Sequence, residues 1–190
     1  MAIILASQSP RRQELLRRIG IENFQILSLD VDESCPACLS PEDTVRYIAE
    51  KKSSAAAALC APDDLIITAD TMVFLENDRL GKPRDETDAL RMLRELAGNR
   101  HTVCTGVSVR RGEQHELFAV STDVYFRPCS DGELRAYIRT GEPMDKAGAY
   151  GVQSRGALFV ERIDGDFYNV MGLPVERLGQ TLTRFGVKLF

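Results

Sequence analysis

The residues best suited to chemistry near the start of this sequence are serines and arginines that follow an apolar run. Residues 7–12 read Ser-Gln-Ser-Pro-Arg-Arg directly after the apolar residues 2–6, which predicts a turn from a strand into a helix. Backbone N–H groups at a helix N-terminus favour anions, and Arg11 and Arg12 can bind phosphate oxygens bidentately. The segment is therefore a candidate phosphate site. The alternative is a helix cap with two solvated arginines.

Two further candidates are a lysine and an aspartate placed by apolar periodicity. Lys52 falls within the apolar stripe of a helix predicted to begin at Pro41. Its ammonium either snorkels to solvent or points into a polar cleft. Asp70 follows the apolar residues 65–69, which predict a buried strand that ends at Asp70. Beyond such a strand end a carboxylate can bind a divalent cation or activate water, unless it is merely solvated.

Polar side chains in two loops complete the candidates. Residues 81–83 do not form a P-loop, because Glu76 and Pro83 stand where that motif needs glycine and Ser or Thr. Lys82 can still meet phosphate as a point charge, or it is an ordinary loop lysine. The glycine-containing segment 142–153 ends at Gln153, whose amide carries both a donor and an acceptor, as base-edge reading needs. The alternative there is a structured surface loop.

The cysteines offer a weaker hypothesis. Five cysteines are an odd count, which argues against a disulfide framework. Cys35 and Cys38 form one C-x-x-C, but a zinc site needs four ligands, and only two histidines and three scattered cysteines accompany them. A redox dithiol needs basic neighbours, whereas Asp32 and Glu33 stand beside this pair. The sequence favours an incidental loop pair over a dithiol oxidoreductase.

Composition narrows the class of protein. The chain has 190 residues, 44% hydrophobic and 27% charged, with a net charge of -4. These values are typical of a globular domain, and no apolar run is long enough for a membrane span. The net charge is negative, whereas a nucleic-acid-binding domain typically carries an excess of basic residues. The arginines near the start of the chain favour binding of a small polyanion. The apolar N-terminal run is too short for a signal peptide, so we expect a cytoplasmic protein without nucleic-acid or membrane partners.

The elements that must position these residues alternate between strands and helices. Helices are predicted over residues 10–19, 41–59, 86–97, 130–141 and from Pro174 onward. Strands are predicted over residues 2–6, 24–29, 65–69, 101–110, 115–126, 156–163 and 187–190, with a hairpin around Asn77-Asp78. Because hairpins occur among alternating helices and strands, we expect an α/β protein with a mixed sheet. No linker is evident, so residues 1–190 are predicted to form a single domain.

Taken in chain order, these segments resemble the Maf family of nucleoside triphosphate pyrophosphatases. The matching pieces are residues 7–12, Asp32-Glu33, Ile-Ala-x-x-Lys ending at Lys52, Ala69-Asp70-Thr71, Gly81-Lys82-Pro83, Gly98-x-x-His101, residues 145–150, Gly165-Asp166 and Gly172-Leu173-Pro174. They cover nearly the whole chain. The resemblance implies an elongated mixed sheet with flanking helices, in two lobes around a cleft, as in inosine triphosphate pyrophosphatases (the Maf/Ham1 fold). It also implies a homodimer.

The resemblance further implies an activity and its residues. The activity is hydrolysis of a nucleoside triphosphate to the monophosphate and pyrophosphate with a divalent cation, Mg²⁺ or Mn²⁺. The residue matching Asp70 is the proton acceptor, and Glu33 and Asp70 are the expected metal ligands. The expected phosphate-binding residues are Ser7, Arg11, Arg12, Lys52 and Lys82.

Substrate preference is implied by the same resemblance. The branch that prefers dTTP and UTP carries the residue types found here at Arg12, Thr71 and Gln153. Departures from the family pattern are Ser53, where alanine is usual, and the Cys35/Cys38 insertion beside Glu33. Two alternatives stay open: the same chemistry on 7-methyl-GTP or CTP, and a nucleotide-binding regulator of septum formation without significant turnover.

Overall fold

The computed structural model describes residues 1–76 and 78–190 as alternating strands and helices. The strands are β1 (Ile3–Leu5), β2 (Gln25–Ile26), β3 (Leu65–Leu75), β4 (Asp78–Leu80), β5 (Arg100–Arg111), β6 (Gln114–Phe126) and β7 (Val160–Asp164). The helices are α1 (Pro10–Arg18), α2 (Pro41–Ala57), α3 (Glu86–Leu96), α4 (Asp131–Ile138), α5 (Phe167–Met171) and α6 (Val175–Arg184). No helix within the described ranges is long and apolar enough to cross a membrane.

The strands form one mixed sheet. Their order is β2-β1-β3-β5-β6-β7, and β4 pairs with β3 alone. Strand β1 runs parallel to both of its neighbours, with Ile4 opposite Gln25 of β2 and Ile66 of β3. The β3–β4 and β6–β7 pairs are antiparallel. The predicted α/β class with a mixed sheet and flanking helices is therefore confirmed.

The helices begin where their capping residues predict. The Ser9, Ser40 and Ser130 side chains each accept a hydrogen bond from the backbone N–H three residues later. At Ser130 the Glu133 carboxylate also accepts from the Ser130 N–H, which completes the predicted capping box. Gly20 follows α1 with a φ of 85°, the left-handed conformation that ends helices. Local hydrogen bonding thus fixes these boundaries.

Strand β3 differs from the prediction. The strand expected to end at Asp70 continues to Leu75, so Asp70 lies within a strand and not beyond its end. The reason is that β3 serves two partners in succession: its first half pairs with β1 and its second half, from Val73, pairs with β4. The predicted hairpin pairing is confirmed, with Val73 opposite Leu80. The prediction for Asn77 falls outside the described residues.

Three other strand predictions are wrong in whole or in part. The strand predicted over residues 24–29 is shortened to Gln25–Ile26. Residues 187–190 form no strand, and the segment predicted as a strand over residues 156–163 begins with a 3-10 turn, Arg155–Phe159, before β7 starts at Val160. Two more 3-10 turns occupy Glu142–Asp145 and Ala147–Ala149. Short apolar runs do not by themselves distinguish a strand from such turns.

The chain forms two compact units. The first comprises Met1–Asp70, Thr105–Val120 and Gly172–Phe190; the second comprises Thr71–Cys104 and Ser121–Met171. Both are discontinuous in sequence. The single domain over residues 1–190 stays a prediction.

In the first unit the core lies between α2 and the start of the sheet. Ile4, Ala56 and Ile66 pack together, and the Thr68 hydroxyl donates a buried hydrogen bond of 2.7 Å to the Ala49 carbonyl. Helix α2 also approaches β5 closely, because a Cβ on Gly106 would lie 2.3 Å from the Val45 carbonyl oxygen. These contacts fix α2 against β3.

In the second unit the core includes a chain of aromatic contacts. The His101 side chain is 1% exposed, and its Nε2 lies 2.8 Å from the Tyr150 hydroxyl. The His101 ring packs edge-on against Phe126 and Tyr150, with centroids 5.0 and 5.4 Å away. Burial lowers the pKa of His101 from 6.5 to about 4. The native state therefore holds this imidazole neutral.

We expect His101 to make stability fall in mild acid. The unfolded chain protonates near the ordinary pKa of 6.5, so the stability contributed by the neutral ring is complete above that pH and is lost as the pH falls towards 4. Between pH 7.5 and pH 5 the free energy of unfolding should drop by about 2 kcal/mol on this account. Urea unfolding at both values measures the drop.

The chain's other histidine provides the control. Burial also lowers the pKa of His115, so it acts in the same direction. His115→Gln should keep most of the acid-induced drop, and His101→Gln should lose most of it. Equal drops in the two variants would contradict the assignment to His101.

Candidate active site

The turn between β1 and α1 brings the first candidate residues into position. The Ser7 hydroxyl accepts a hydrogen bond from the Ser9 N–H at 3.2 Å, and Ser9 caps the helix through the Arg12 N–H. This places Arg11 and Arg12 in the first helical turn, where unsatisfied backbone donors concentrate. The predicted strand-to-helix turn is confirmed.

The Arg12 guanidinium is held at both ends. Its Nε donates to the Gly172 carbonyl at 2.9 Å, and its Nη1 donates to the Ser7 hydroxyl at 3.2 Å. Burial lowers the pKa of Arg12, and the positive charge of Arg11 acts in the same direction, whereas the Asp70 and Glu33 carboxylates oppose the shift. Arg12 thus lies within electrostatic range of both candidate metal ligands.

Lys52 joins the two carboxylates. Its Nζ lies 2.7 Å from Asp70 Oδ1 and 2.6 Å from Glu33 Oε1. The Lys52 side chain is 14% exposed and that of Asp70 10%, while that of Glu33 is 59% exposed. The snorkelling alternative for Lys52 is therefore wrong: its ammonium points to the carboxylates.

The charges in this cluster favour an anion. Arg11, Arg12 and Lys52 supply three positive charges against the two carboxylates, in a chain whose net charge is -4. Burial strengthens the interaction of Lys52 with Asp70 in particular, because solvent screens these two charges less. A local excess of positive charge on an acidic protein suits a small polyanion such as a polyphosphate.

Lys51 also belongs to the surroundings of this cluster, although sequence reasoning assigned it no role. Its Nζ donates to the Ser34 carbonyl at 3.1 Å and lies 3.5 Å from Asp32 Oδ2. Asp32 in turn accepts from the Ser34 N–H at 2.9 Å. These bonds hold the residues on either side of Glu33 against α2. The spacing of Asp32 and Ser34 is typical of an Asx turn, and this is the sequence signal that indicates a fixed backbone at Glu33.

The other predicted site residues lie in the second unit. Thr71 is the residue after Asp70 in β3, Lys82 is exposed just after β4, and Gln153 is exposed between two 3-10 turns. The Gly148 N–H donates to the Gly81 carbonyl at 3.1 Å, which joins the loop of Lys82 to the segment that leads to Gln153. The structured-loop interpretation of this segment is correct, and it does not exclude a binding role.

Glu33 and Asp70 are the residues that could hold a metal. Mg²⁺ is commonly bound by one or two carboxylates together with substrate phosphates. The Lys52 ammonium between the two carboxylates shows that a cation is accepted there. Within residues 1–76 and 78–190 no group of three or more His, Cys, Asp or Glu side chains could hold a metal ion. The pair therefore fits a divalent cation that also takes ligands from a substrate.

The C-x-x-C pair, Cys35 and Cys38, closely follows Glu33 in the sequence. Cys35 is half-buried and Cys38 exposed, in the loop between β2 and α2 that also carries Glu33. This loop is one of the two places where the sequence departs from the family pattern, the other being Ser53 in α2.

Comparison with known proteins identifies relatives of this chain. A dTTP/UTP pyrophosphatase of Bacillus velezensis is 47% identical over 186 residues, which cover 98% of this chain and 97% of the relative. A dTTP/UTP pyrophosphatase of a Geobacillus strain (WCH70) is 46% identical over 184 residues, 97% of this chain and 98% of the relative.

Solved structures show the fold. The Staphylococcus aureus Ham1 protein superposes with a TM-score of 0.53 at 14% identity, covering 96% of this chain and 98% of that one. A HAM1 protein from Coxiella burnetii gives 0.52 at 10% identity, covering 97% and 99%. The predicted Ham1-type fold is confirmed. The model of the Maf family, described as Maf-like protein, matches residues 2–185, and the chain belongs to that family.

Proposed function

We propose that this protein hydrolyses dTTP and UTP to the monophosphate and pyrophosphate. The observation that carries the reaction is the cluster in which Lys52 contacts both Asp70 and Glu33 beside the partly buried Arg12. This cluster therefore brings together cations that can bind a polyphosphate and a carboxylate that can accept a proton. The choice of nucleotides rests on the relatives, which are named dTTP/UTP pyrophosphatases.

The basic residues bind the triphosphate in this proposal. Arg11 and Arg12 stand at the N-terminus of α1, where the helix dipole adds to their charge. Ser7 and Gly172 hold the Arg12 guanidinium, so little side-chain freedom is lost when phosphate binds. Lys52 supplies a further charge, and Lys82 is carried over from the family resemblance as a fourth cation.

Asp70 is the proposed proton acceptor. Its carboxylate takes a proton from a water molecule as the water oxygen forms a bond to the α-phosphorus. The bond from the α-phosphorus to the bridging oxygen breaks, and pyrophosphate leaves with the bonding electrons. Lys52 keeps the Asp70 carboxylate in one orientation through the 2.7 Å contact. Positioned bases of this kind typically contribute about 100-fold to 10,000-fold to rate.

Glu33 and Asp70 would hold the divalent cation, Mg²⁺ or Mn²⁺. Bound there, such a cation neutralises charge on the phosphate oxygens and on the leaving pyrophosphate. The chain's own contribution is to hold the two carboxylates close together, Asp70 through Lys52 and Glu33 through Lys52 and the neighbouring Lys51 contacts.

Arg12, Thr71 and Gln153 are the proposed specificity residues. Gln153 can pair its amide with O4 and N3–H of uracil or thymine, which present an acceptor beside a donor. Gln153→Ala should lower the preference for UTP over CTP by about tenfold and leave kcat for UTP nearly unchanged, because a lost base contact is worth roughly 1–3 kcal/mol. The ratio of kcat/KM for the two nucleotides measures the change. Loss of kcat without loss of preference would contradict the role.

The experiment that tests the function is hydrolysis of a nucleotide panel. Purified protein is incubated with dTTP, UTP, CTP, GTP or 7-methyl-GTP, with Mg²⁺, with Mn²⁺ and with chelator, and pyrophosphate is resolved from single phosphate. We expect metal-dependent pyrophosphate release, fastest from dTTP and UTP. Activity mainly on 7-methyl-GTP or CTP would keep the chemistry and overturn the specificity. Binding without turnover would favour the regulator of septum formation.

Two accompanying proposals concern the setting of the reaction. We place the protein in the cytoplasm and expect it to act as a homodimer, as the family resemblance implies. Cell fractionation and light scattering coupled to size-exclusion chromatography test these expectations separately.

A further inference from the structure

We propose that Glu142 is a positioning residue that fixes the backbone on both sides of Gln153 and thereby sets nucleotide preference. This inference rests on the proposed function, because it takes Gln153 as the residue that reads the base. Glu142 begins the 3-10 turn Glu142–Asp145, eleven residues before Gln153, and it is the first residue of the candidate segment 142–153, in which only Gln153 was given a role.

The Glu142 carboxylate is the centre of a hydrogen-bond network. Its Oε1 accepts from the Tyr137 hydroxyl at 2.8 Å, from the Ser154 hydroxyl at 2.5 Å and from the Gly156 N–H at 3.3 Å. Its Oε2 accepts from the Arg155 N–H at 3.3 Å. Three consecutive residues that follow Gln153 are thus bonded to one carboxylate.

The residues before Gln153 are held through the same network. The Tyr137 hydroxyl donates to Glu142 and accepts from the Gly151 N–H at 3.1 Å. The loop closes tightly, because a Cβ on Gly156 would lie 2.7 Å from the Gly151 carbonyl oxygen. Gln153 itself is exposed and donates or accepts no hydrogen bond among the described residues. A fixed backbone therefore presents a side chain whose amide is available to a ligand.

The ionisation of the network matches this role. Burial acts to raise the pKa of Glu142, but the hydrogen bonds from Ser154, Tyr137, Gly156 and Arg155 together hold that pKa below its ordinary value. Burial and the bond to Glu142 raise the pKa of Tyr137, so its hydroxyl stays protonated. A charged acceptor thus faces neutral donors only, and charge-assisted bonds of this type are the stronger class.

An amide replaces this carboxylate only in part. Glutamine at position 142 keeps one acceptor oxygen, and with that oxygen towards Tyr137 and Ser154 its NH₂ group faces the Arg155 N–H, a donor that has no acceptor to offer. We expect Glu142→Gln to lower the preference for UTP over CTP by about tenfold, mainly through a higher KM for UTP, which is the lower end of the range of about 10-fold to 100-fold for loss of an outer-shell partner of a metal ligand. The kcat at saturating UTP should stay within about threefold.

A double-mutant cycle separates positioning from a general structural role. If Glu142 acts through Gln153, the preference of the double variant Glu142→Gln/Gln153→Ala equals that of Gln153→Ala alone. Glu133→Gln is the matched control: Glu133 is a second carboxylate of the same unit that accepts backbone and hydroxyl bonds, at the N-terminus of α4. This control should leave the preference unchanged.

Hydrogen exchange provides the readout that does not depend on turnover. Amides of residues 151–156 should exchange faster in Glu142→Gln than in the wild type, while those of β5 should not change. An unchanged preference, or a change of the same size with and without Gln153, would overturn the proposal. Should Glu142→Gln fold poorly, Tyr137→Phe removes only the hydroxyl and should shift preference in the same direction by less.

Failure of the proposed function would be distinguishable from failure of this inference. A wild-type enzyme that prefers a nucleotide other than dTTP and UTP contradicts the function, and the cycle is then run on its best and second-best nucleotides. If the protein binds nucleotides without turnover, the ratio of its dissociation constants for two nucleotides is measured as the preference. In both cases a preference that survives Glu142→Gln overturns the positioning role.

Discussion

Asp70→Asn should lower kcat by at least about 100-fold, the largest effect that we expect from a single atom replacement in this protein. Asparagine keeps the shape of the side chain, and its carbonyl oxygen can still accept from Lys52 at the position where Asp70 Oδ1 now lies 2.7 Å from the ammonium. What it loses is the ability to take a proton. Steady-state hydrolysis of UTP with excess Mg²⁺ measures the loss.

Binding should respond differently from turnover. Removing a negative charge beside the triphosphate lowers repulsion, so KM for UTP should stay the same or fall. The exposed Asp131, which pairs with Arg94 in the second unit, offers the control Asp131→Asn, for which kcat should not change. Near-normal kcat in Asp70→Asn would remove Asp70 from the role of base.

A titration with metal separates the two roles proposed for Asp70. If this carboxylate served only to hold the divalent cation, a large excess of Mg²⁺ or Mn²⁺ would restore kcat in Asp70→Asn by filling the weakened site. If it accepts the proton, kcat stays low at saturating metal. We expect the second result, with the thermal midpoint within a few degrees of the wild type because the Lys52 contact is kept.

The parts of this site that could be predicted from the sequence are those fixed by local chemistry. Ser9 and Pro10 determine where α1 begins, and Ser40 and Pro41 do the same for α2. Once those starts are known, the helical period fixes which way Lys52 faces relative to the apolar stripe. Capping and periodicity act within a few residues, so single-sequence reasoning reaches them.

The parts that could not be predicted depend on residues far apart in the chain. Arg12 meets Gly172 across 160 positions, and no local pattern encodes that contact. The pairing of Lys52 with Asp70 requires α2 to lie on β3, where the Thr68 hydroxyl bonds to the Ala49 carbonyl across 19 positions.

The continuation of β3 past Asp70 has the same origin. A strand that ends at a polar residue and a strand that changes partners there look alike in sequence. The pairing of Val73 with Leu80, which extends the strand, depends on where β4 returns along it. Long-range pairing decides such cases, and the hydrophobic pattern alone does not.

Lys52→Met should lower kcat/KM for UTP by about 100-fold to 1,000-fold, the range measured when one preorganised donor is removed from a catalytic site. The physical reason is the double contact of its ammonium with Asp70 and Glu33, at 2.7 and 2.6 Å. Without that charge the two carboxylates repel each other and the incoming triphosphate. Both KM and kcat should suffer, because binding and the orientation of Asp70 depend on the same ammonium.

Lys52→Arg distinguishes charge from shape. A guanidinium keeps the positive charge but is planar and larger than an ammonium, so it cannot contact both carboxylates in the same way. We expect it to recover part of the KM and little of the kcat. Lys188→Met removes an exposed lysine near the C-terminus and should change neither, which controls for net charge.

Stability measurements decide whether Lys52 is more than a structural ion pair. The Asp70 side chain is only 10% exposed, so Lys52→Met leaves a largely buried carboxylate with one partner fewer, at a cost of about 1–3 kcal/mol in the free energy of unfolding. A purely structural pair would show that loss with kcat/KM within about threefold of the wild type. If Lys52 acts in catalysis, Lys52→Met is inactive at temperatures at which both the variant and the wild type are folded. We expect this result, because the Lys52 ammonium contacts both Asp70 and Glu33.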